Sequence, residues 1–412
     1  MRLIIFSLLV FVSAVHVGRS HYEYQWFWGI SILIILLGLQ LACRIGIRGA
    51  ACFSYTALSS FYLFSTSGEL RGDNAPLGIF FQGREAFIIS SQALDNMAMN
   101  KYSGGALIAC FIIFVFLVHC KKSTLENIGK ALGWLCITES IYCLCQVIYF
   151  IYGNGYSNFQ EYLPRLTFSG YAGIGGGLIA VLIPFWVKEL QAWKGIHKYM
   201  PRFIYYGLYT IPAIAVLFTC SSVAVGTLFV VIAGIIAFQV KQFNKALIWC
   251  FIFASIIFVI ARFTQGSQLL NDSTRFEAYG HFFRYWFDHV NLLVGTGNGS
   301  FHVLGPSIQS KVGFNDTWAW AHSDLLQLLF EMGLISVALY SWAFYEVIIR
   351  CLRARRYDLL CSIIGYLGTC IFNYPMHYAV HAFVGSFLVI TALKSRPNYK
   401  ELDMTIKPWY VK

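Results

Sequence analysis

The chain has 412 residues, of which 58% are hydrophobic and only 12% charged, with a formal net charge of +11. A soluble domain carries about a quarter charged residues, so this composition excludes an ordinary soluble fold. Its apolar runs are continuous and roughly 17–25 residues long, the length of a helix that crosses a bilayer, which excludes the alternating strands of a β-barrel.

Taken in chain order, the runs predict about twelve membrane spans, near 2–17, 26–43, 49–65, 104–119, 130–152, 169–187, 203–219, 222–240, 246–262, 322–349, 358–373 and 377–393. The opening MRLIIFSLLVFVSAVHVG has one basic residue, Arg2, and no small-x-small cleavage pattern, so it reads as a retained first span. With the N-terminus placed in the cytoplasm, more than two thirds of the 30 Lys and Arg residues fall on that side, among them Lys121, Lys122, Lys188, Arg350, Arg353, Arg355, Arg356 and Lys394. The positive-inside rule then puts both termini in the cytoplasm. The basic balance is a topology signal and implies no nucleic-acid partner; membrane lipids are the surroundings to expect. The expected fold is all-α: a polytopic membrane protein forming a single transmembrane domain over 1–412. Its outer segments 66–103 and 263–321 exceed ordinary connections, and loops of that length are usually functional. Residues 394–412 read as a short cytoplasmic tail. The twelve cysteines are scattered through apolar runs without a CxxC pair and read as small core hydrophobes.

Polar residues within or beside the spans mark candidate sites. Glu139 and Gln146 lie inside the fifth span. In RLTFSGYAGIGGGLIAVLIPF, Gly173 and Gly177 form a small-xxx-small pair suited to close helix packing, and Arg165 stands just outside the span as a candidate for a headgroup or phosphate. Arg262 ends another span. In the second long outer loop, NDSTRFEAYGHFFRYWFDHV predicts an amphipathic helix at the membrane interface, with its aromatic side down. Thr274 and Glu277 fit a capping box, which puts Arg275 in the first turn. Arg275, Tyr279, Phe282 and Trp286 then share one face, with Arg284 further along the helix as another candidate for diphosphate or glycan binding. A helix start favours an anion, and an arginine adds bidentate phosphate recognition; pairing with a carboxylate or a lipid headgroup is the equal alternative. LLVGTGNGSF follows. Gly295, Gly297 and Gly299 lack the strand–turn–helix setting of a dinucleotide fingerprint and read as a tight turn, with Gly295 and Gly297 as candidate backbone contacts to substrate.

In WAWAHSDLLQLLFEMG, a helix taken from 322 onward places His322 with Leu325, Leu326 and Leu329, and lines up Asp324, Gln327 and Glu331 opposite. Polar groups in a span are costly and usually face the bundle interior or a wet cavity, so Asp324 and Glu331 read as structural polar residues. On residues alone, His322 is open between a packing histidine and a reactive one. In FNYPMHYAVHAF, His377 and His381 are spaced i, i+4 but lack a carboxylate or a further ligand pair, so packing is the simpler use. No acidic cluster in the outer loops suggests a divalent-cation site, and no metal or other cofactor is expected.

The order STRFEAYGHFFRYWFDHVNLLVGTGNGSF, an outer loop, then AHSDLLQLLFEMGLIS resembles the bacterial O-antigen ligase/polymerase superfamily, which includes lipid A-core ligases, Wzy-type polymerases and pilin O-oligosaccharyltransferases. The local match spans roughly 273–336. Two positions depart from the pattern: Ser323 follows the histidine where Asn is usual, and Ser222 stands where many ligases carry an arginine, which leaves Arg165 or Arg262 as substitutes. The resemblance implies a metal-independent, inverting glycosyltransferase of the bacterial inner membrane. Its donor would be a glycan on undecaprenyl diphosphate and its acceptor a hydroxyl of lipid A-core, another glycan or a protein at the periplasmic face, with ligase first, polymerase or protein O-oligosaccharyltransferase as alternatives, and a lipid-linked oligosaccharide transporter as the reading from another class. In that chemistry His322, with an unperturbed pKa near 6.5, removes the acceptor proton, and Arg275 stabilises the departing diphosphate.

Overall fold

The computed structural model describes residues 44, 46–52, 54–56, 113–154, 167, 172–193, 202–219, 221–239, 273–289, 292–295, 301, 305, 308–309 and 321–395. Among them the chain is helical, without a strand. The main helices are α1 (Lys122–Asn154), α2 (Ala172–Ala192), α3 (Arg202–Phe218), α4 (Ser222–Gln239), α5 (Ser273–His289), α6 (Asp324–Arg353), α7 (Tyr357–Phe372) and α8 (Ala379–Lys394), with a 3-10 turn at Pro375–His377 before α8. By length and composition α1, α2 and α6 are each able to cross a membrane, and shorter apolar helices lie within α3, α4, α7 and α8.

The expected spans from 130–152 to 222–240, and those at 358–373 and 377–393, each correspond to one helix, while 322–349 corresponds to a helix broken at Gly333. Those at 2–17, 26–43 and 246–262, the segment 66–103 and the tail beyond 395 lie outside the described residues. Helix α1 starts at Lys122, well before the apolar run at 130, and has 33 residues. At 1.5 Å per residue it is about 50 Å long, against a hydrocarbon layer of about 30 Å. Its opening KSTLENIGK is polar and mostly exposed. Hydropathy marks the oily slab, and the helix continues past it.

The chain forms two compact units, each closed by segments distant in sequence: Met1–Phe111 with Ser273–Glu346, and Ile112–Asp272 with Val347–Lys412. In the second unit α2 is central and packs on α1, α3, α4 and α7. Small residues on α2 permit this. A side chain added at Gly177 would meet Thr369, and one at Gly173 would meet Ser221 and Asn373; Gly176 faces Thr219 and Ala224. The expected Gly173/Gly177 pair therefore meets a matching pair, four residues apart, at the end of α7. Close approach brings hydroxyls into range of partners: Thr227 and Thr369 Oγ1 are 3.1 Å apart, and Ser362 Oγ donates to the Val181 carbonyl at 2.8 Å. Packing and interhelical hydrogen bonds of this kind replace the hydrophobic driving force that lipid does not provide.

Cations close one end of this unit. Lys394 Nζ donates to the Cys120 and Leu117 carbonyls at 2.7 and 3.3 Å, and the Arg350 guanidinium donates to the Leu393 carbonyl. These carbonyls lie at or near helix C-termini, which lack intrahelical donors and attract positive charge. The turn from α6 to α7 follows the Schellman pattern: Arg356 N–H donates to the Cys351 carbonyl at 2.9 Å and Arg355 N–H to that of Leu352 at 3.1 Å, with Arg355 in the left-handed region at φ 51°. Arg356 also holds Asp358 through two 3.0 Å hydrogen bonds. Burial alone would lower the Arg356 guanidinium, but those bonds and the Asp358 charge hold it above its usual value.

Gly177→Ala, whose new Cβ would lie 2.9 Å from Thr369 Cγ2, is expected to destabilise the protein by about 1–3 kcal/mol through overpacking. Gly226→Ala, which meets nothing within 4 Å, is expected to be neutral or to stabilise by up to ~1 kcal/mol. Thermal unfolding of the two variants in detergent checks the contrast.

Candidate functional site

The first unit holds α5, the first part of α6 and a helical segment within 46–56. That segment runs antiparallel to α6. Arg48 pairs with Glu346 at 3.0 Å and stands over the Trp342 ring, Cys52 Sγ donates to the Leu339 carbonyl at 3.0 Å, and Tyr55 donates to the Met332 carbonyl at 2.8 Å.

Helix α5 begins at Ser273, so Thr274 stands inside it and the expected N-cap is displaced. Ala278, Phe282 and Trp286, spaced by four residues, are buried with Phe301, Ile308, Ala321, Leu326 and Phe330, and Tyr279 and Tyr285 pack against the cluster. Phe301 touches both neighbours edge-on, with ring centroids 4.8 Å from Phe282 and 5.4 Å from Phe330. This corrects the expectation that the aromatic face lies down on the membrane interface: it faces protein. Periodicity identifies an apolar face but not what covers it. Burying a side chain such as Phe282 contributes on the order of 2 kcal/mol. Burial also pushes the Tyr285 phenol above its ordinary value. Arg284 lies exposed, off this face. Arg275 sits in the first turn of α5; its side chain lies outside the described residues, as do Arg165, Arg262 and Gly297 entirely.

Helix α6 is broken at Gly333, where φ is 66° and ψ −171°. The break frees backbone groups, and four of them are seen with partners. Leu334 and Ile335 N–H donate to the carbonyls of Leu292 and Leu293 at 2.9 and 3.0 Å. The Ser336 hydroxyl donates to the Gly333 carbonyl at 2.6 Å, and Tyr55 takes that of Met332. The 292–295 turn is thus pressed into the break. At Gly295, with φ 72°, a Cβ would lie 2.5 Å from the Glu331 carbonyl carbon; at Gly333 one would lie 2.6 Å from Val294 N. Both positions require glycine twice over, for positive φ and for a backbone in the way. Gly295 is buried here, and its missing side chain permits this crossing of two chain segments.

The helix proper starts at Asp324, not at His322. Ser323 is its N-cap: its hydroxyl accepts from Leu326 N–H at 3.2 Å and its carbonyl from Gln327 N–H at 3.0 Å. His322 therefore stands before the helix, in the left-handed region at φ 52°, and does not share a helical face with Leu325, Leu326 and Leu329. An N-cap takes non-helical dihedrals, so the residue before it leaves the helical register. Ser323-Asp324 ahead of an apolar run is a start signal legible in the sequence. Asp324 occupies the first turn, where the helix dipole favours an acid.

Gln327 and Glu331 face inward, each 3% exposed. Glu331 Oε1 accepts from Phe301 N–H at 3.0 Å and from Gln327 Nε2 at 2.9 Å, and Gln327 Oε1 accepts from Ala321 N–H at 3.3 Å. On the other side, the Tyr279 hydroxyl donates to the His322 carbonyl at 3.0 Å. The half-buried His322 thus sits on a backbone held from α5 and from α6. The sequence shows Gln327 on the polar face and Tyr279 on the aromatic face, but neither contact leaves a local signal.

His377 and His381 do not share a helix: His377 closes the 3-10 turn and His381 lies in α8. His381 Nε2 is 3.1 Å from the Ile174 carbonyl, a packing role. Among the described residues no group of three His, Cys, Asp or Glu comes together.

Comparison with known protein families, with curated proteins and with solved structures returns no match.

Gly333→Ala is expected to lower the melting temperature further than Ser323→Ala, which removes only a cap and costs about 1 kcal/mol. Ser323→Asn keeps a capping oxygen and is expected to unfold near the wild-type temperature. Thermal melts of the three variants decide.

Proposed function

We propose that this chain is a multi-pass glycosyltransferase of the bacterial inner membrane, with about twelve spans and both termini cytoplasmic. It transfers a glycan from undecaprenyl diphosphate to an acceptor hydroxyl at the periplasmic face, in the manner of the O-antigen ligase/polymerase superfamily that its 273–336 region resembles, with ligase as the leading activity. The observation that carries the reading is the 3.0 Å hydrogen bond from Tyr279 to the His322 carbonyl. Tyr279 lies four residues, about 6 Å along the axis, from Arg275. This bond ties α5, the helix whose first turn contains Arg275, to the backbone of His322.

The chemistry assigns each a part. The acceptor oxygen attacks the anomeric carbon and forms the new glycosidic bond, while the bond from that carbon to the diphosphate oxygen breaks on the opposite face, inverting the centre. The acceptor proton passes to the His322 imidazole. Arg275, in the first turn of α5, neutralises charge growing on the diphosphate, with the helix dipole in the same sense. No step calls for a metal.

His322→Asn removes the base but suits the left-handed backbone, which Asn tolerates better than most residues. It is expected to abolish transfer while membrane abundance stays normal. A purified-protein assay with a defined lipid-diphosphate-linked donor checks this, and normal product from the variant sinks the assignment. With lipid A-core and a second lipid-linked glycan offered separately as acceptors, the same assay separates ligase from polymerase.

A further inference from the structure

We propose that Glu331, acting through Gln327, is the positioning residue of His322; the proposal rests on the transferase reading above. One carboxylate oxygen, Oε1, accepts from both Phe301 N–H and Gln327 Nε2. The second of these bonds orients the Gln327 amide. A carboxylate only accepts and a backbone N–H only donates, so with Nε2 committed to Glu331 the amide oxygen turns to Ala321 N–H. Ala321 immediately precedes His322. Its amide is held by Gln327, the His322 carbonyl by Tyr279, and the next residue by its own cap on α6. These contacts keep His322 in a backbone conformation, φ 52°, that L-residues seldom adopt.

The polar pair is not needed to fill space. Two leucines would pack a buried helix face without desolvating a carboxylate and an amide. The network connects the helical turn at Phe301 to the residue beside the base, and it passes through the wall against which the 292–295 turn is pressed. Without the Gln327 oxygen, Ala321 N–H is left buried without this acceptor and His322 relaxes toward ordinary dihedrals, displacing its imidazole. Donor binding, which rests on Arg275 in another segment, is not disturbed. The signature is a fall in kcat at constant KM.

The test uses the full-length purified protein in lipid vesicles, with an undecaprenyl-diphosphate-linked glycan as donor. Gln327→Leu is expected to lower kcat by about 10- to 100-fold, as a displaced base would, with donor KM essentially unchanged. Amide exchange should quicken in the peptide containing Ala321 while the rest of α6 stays protected. Tyr279→Phe, which removes only a hydroxyl, should lower kcat in the same way. Glu331→Gln retains an oxygen able to accept both bonds and should keep most of the wild-type kcat; Glu331→Leu should behave as Gln327→Leu. If Glu331→Leu does not fold, Gln327→Leu and Tyr279→Phe decide alone. An unchanged kcat in Gln327→Leu, a matching rise in KM, or unchanged exchange at Ala321 overturns the positioning role. Absence of transfer by the wild-type protein overturns the transferase reading instead, while the exchange measurement still reports whether Gln327 holds Ala321.

Discussion

Two backbones cross where the turn at Gly295 enters the break in α6 at Gly333, and the rest of the first unit is built around that crossing. Neither strand of chain could approach so closely with a Cβ at either position. The break exposes N–H groups that an unbroken helix would satisfy internally, and in an apolar surrounding each one left unpaired costs about 1–3 kcal/mol. The turn supplies carbonyls of Leu292 and Leu293 to Leu334 and Ile335. Two glycines and two hydrogen bonds therefore fix the register between the α5 side of the unit and α6.

That register explains why so apolar a protein keeps a carboxylate and an amide buried in α6. With the turn seated, the chain beyond it reaches Glu331 through Phe301 N–H. Phe301 then wedges its ring between Phe282 and Phe330. One residue thus joins the polar network to the aromatic core. Glu331 and Gln327 convert this fixed wall into a fixed position for Ala321 and His322. Burying a polar group is tolerable when its partners are supplied, and here they come from three segments. His322 stands at the edge of the network and is half-buried.

The second unit solves a different problem with different means. Helices in lipid gain little by hiding apolar surface from one another, so α2 presents glycines and its neighbours present Thr, Ser and Asn. The resulting contacts are close enough for van der Waals attraction and short hydrogen bonds. The basic residues that the positive-inside count assigns to the cytoplasm also have local work: Lys394 and Arg350 hold carbonyls near helix ends, and Arg356 holds Asp358 at the start of α7. A charge distribution readable as topology is also helix capping.

Local properties were legible in the chain itself. Apolar runs gave the existence and order of α1–α4 and α6–α8, because span length is set by the bilayer. The small-residue pair on α2, the amphipathic character of α5 and the inward polar face of Gln327 and Glu331 followed from helical spacing. Where α1 begins was missed, since hydropathy reports the slab and not the helix. A helix taken from 322 onward gives His322 a shared face with Leu325, Leu326 and Leu329, but Ser323 beside it is the cap. Only the tertiary structure decided that the aromatic face of α5 meets protein, that Gly295 and Gly333 need each other, and that Glu331 reaches Phe301 while Tyr279 reaches His322. The reason is physical: periodicity records which side of a helix is oily or polar, whereas a partner thirty or more residues away is chosen by how folded segments come to rest against one another.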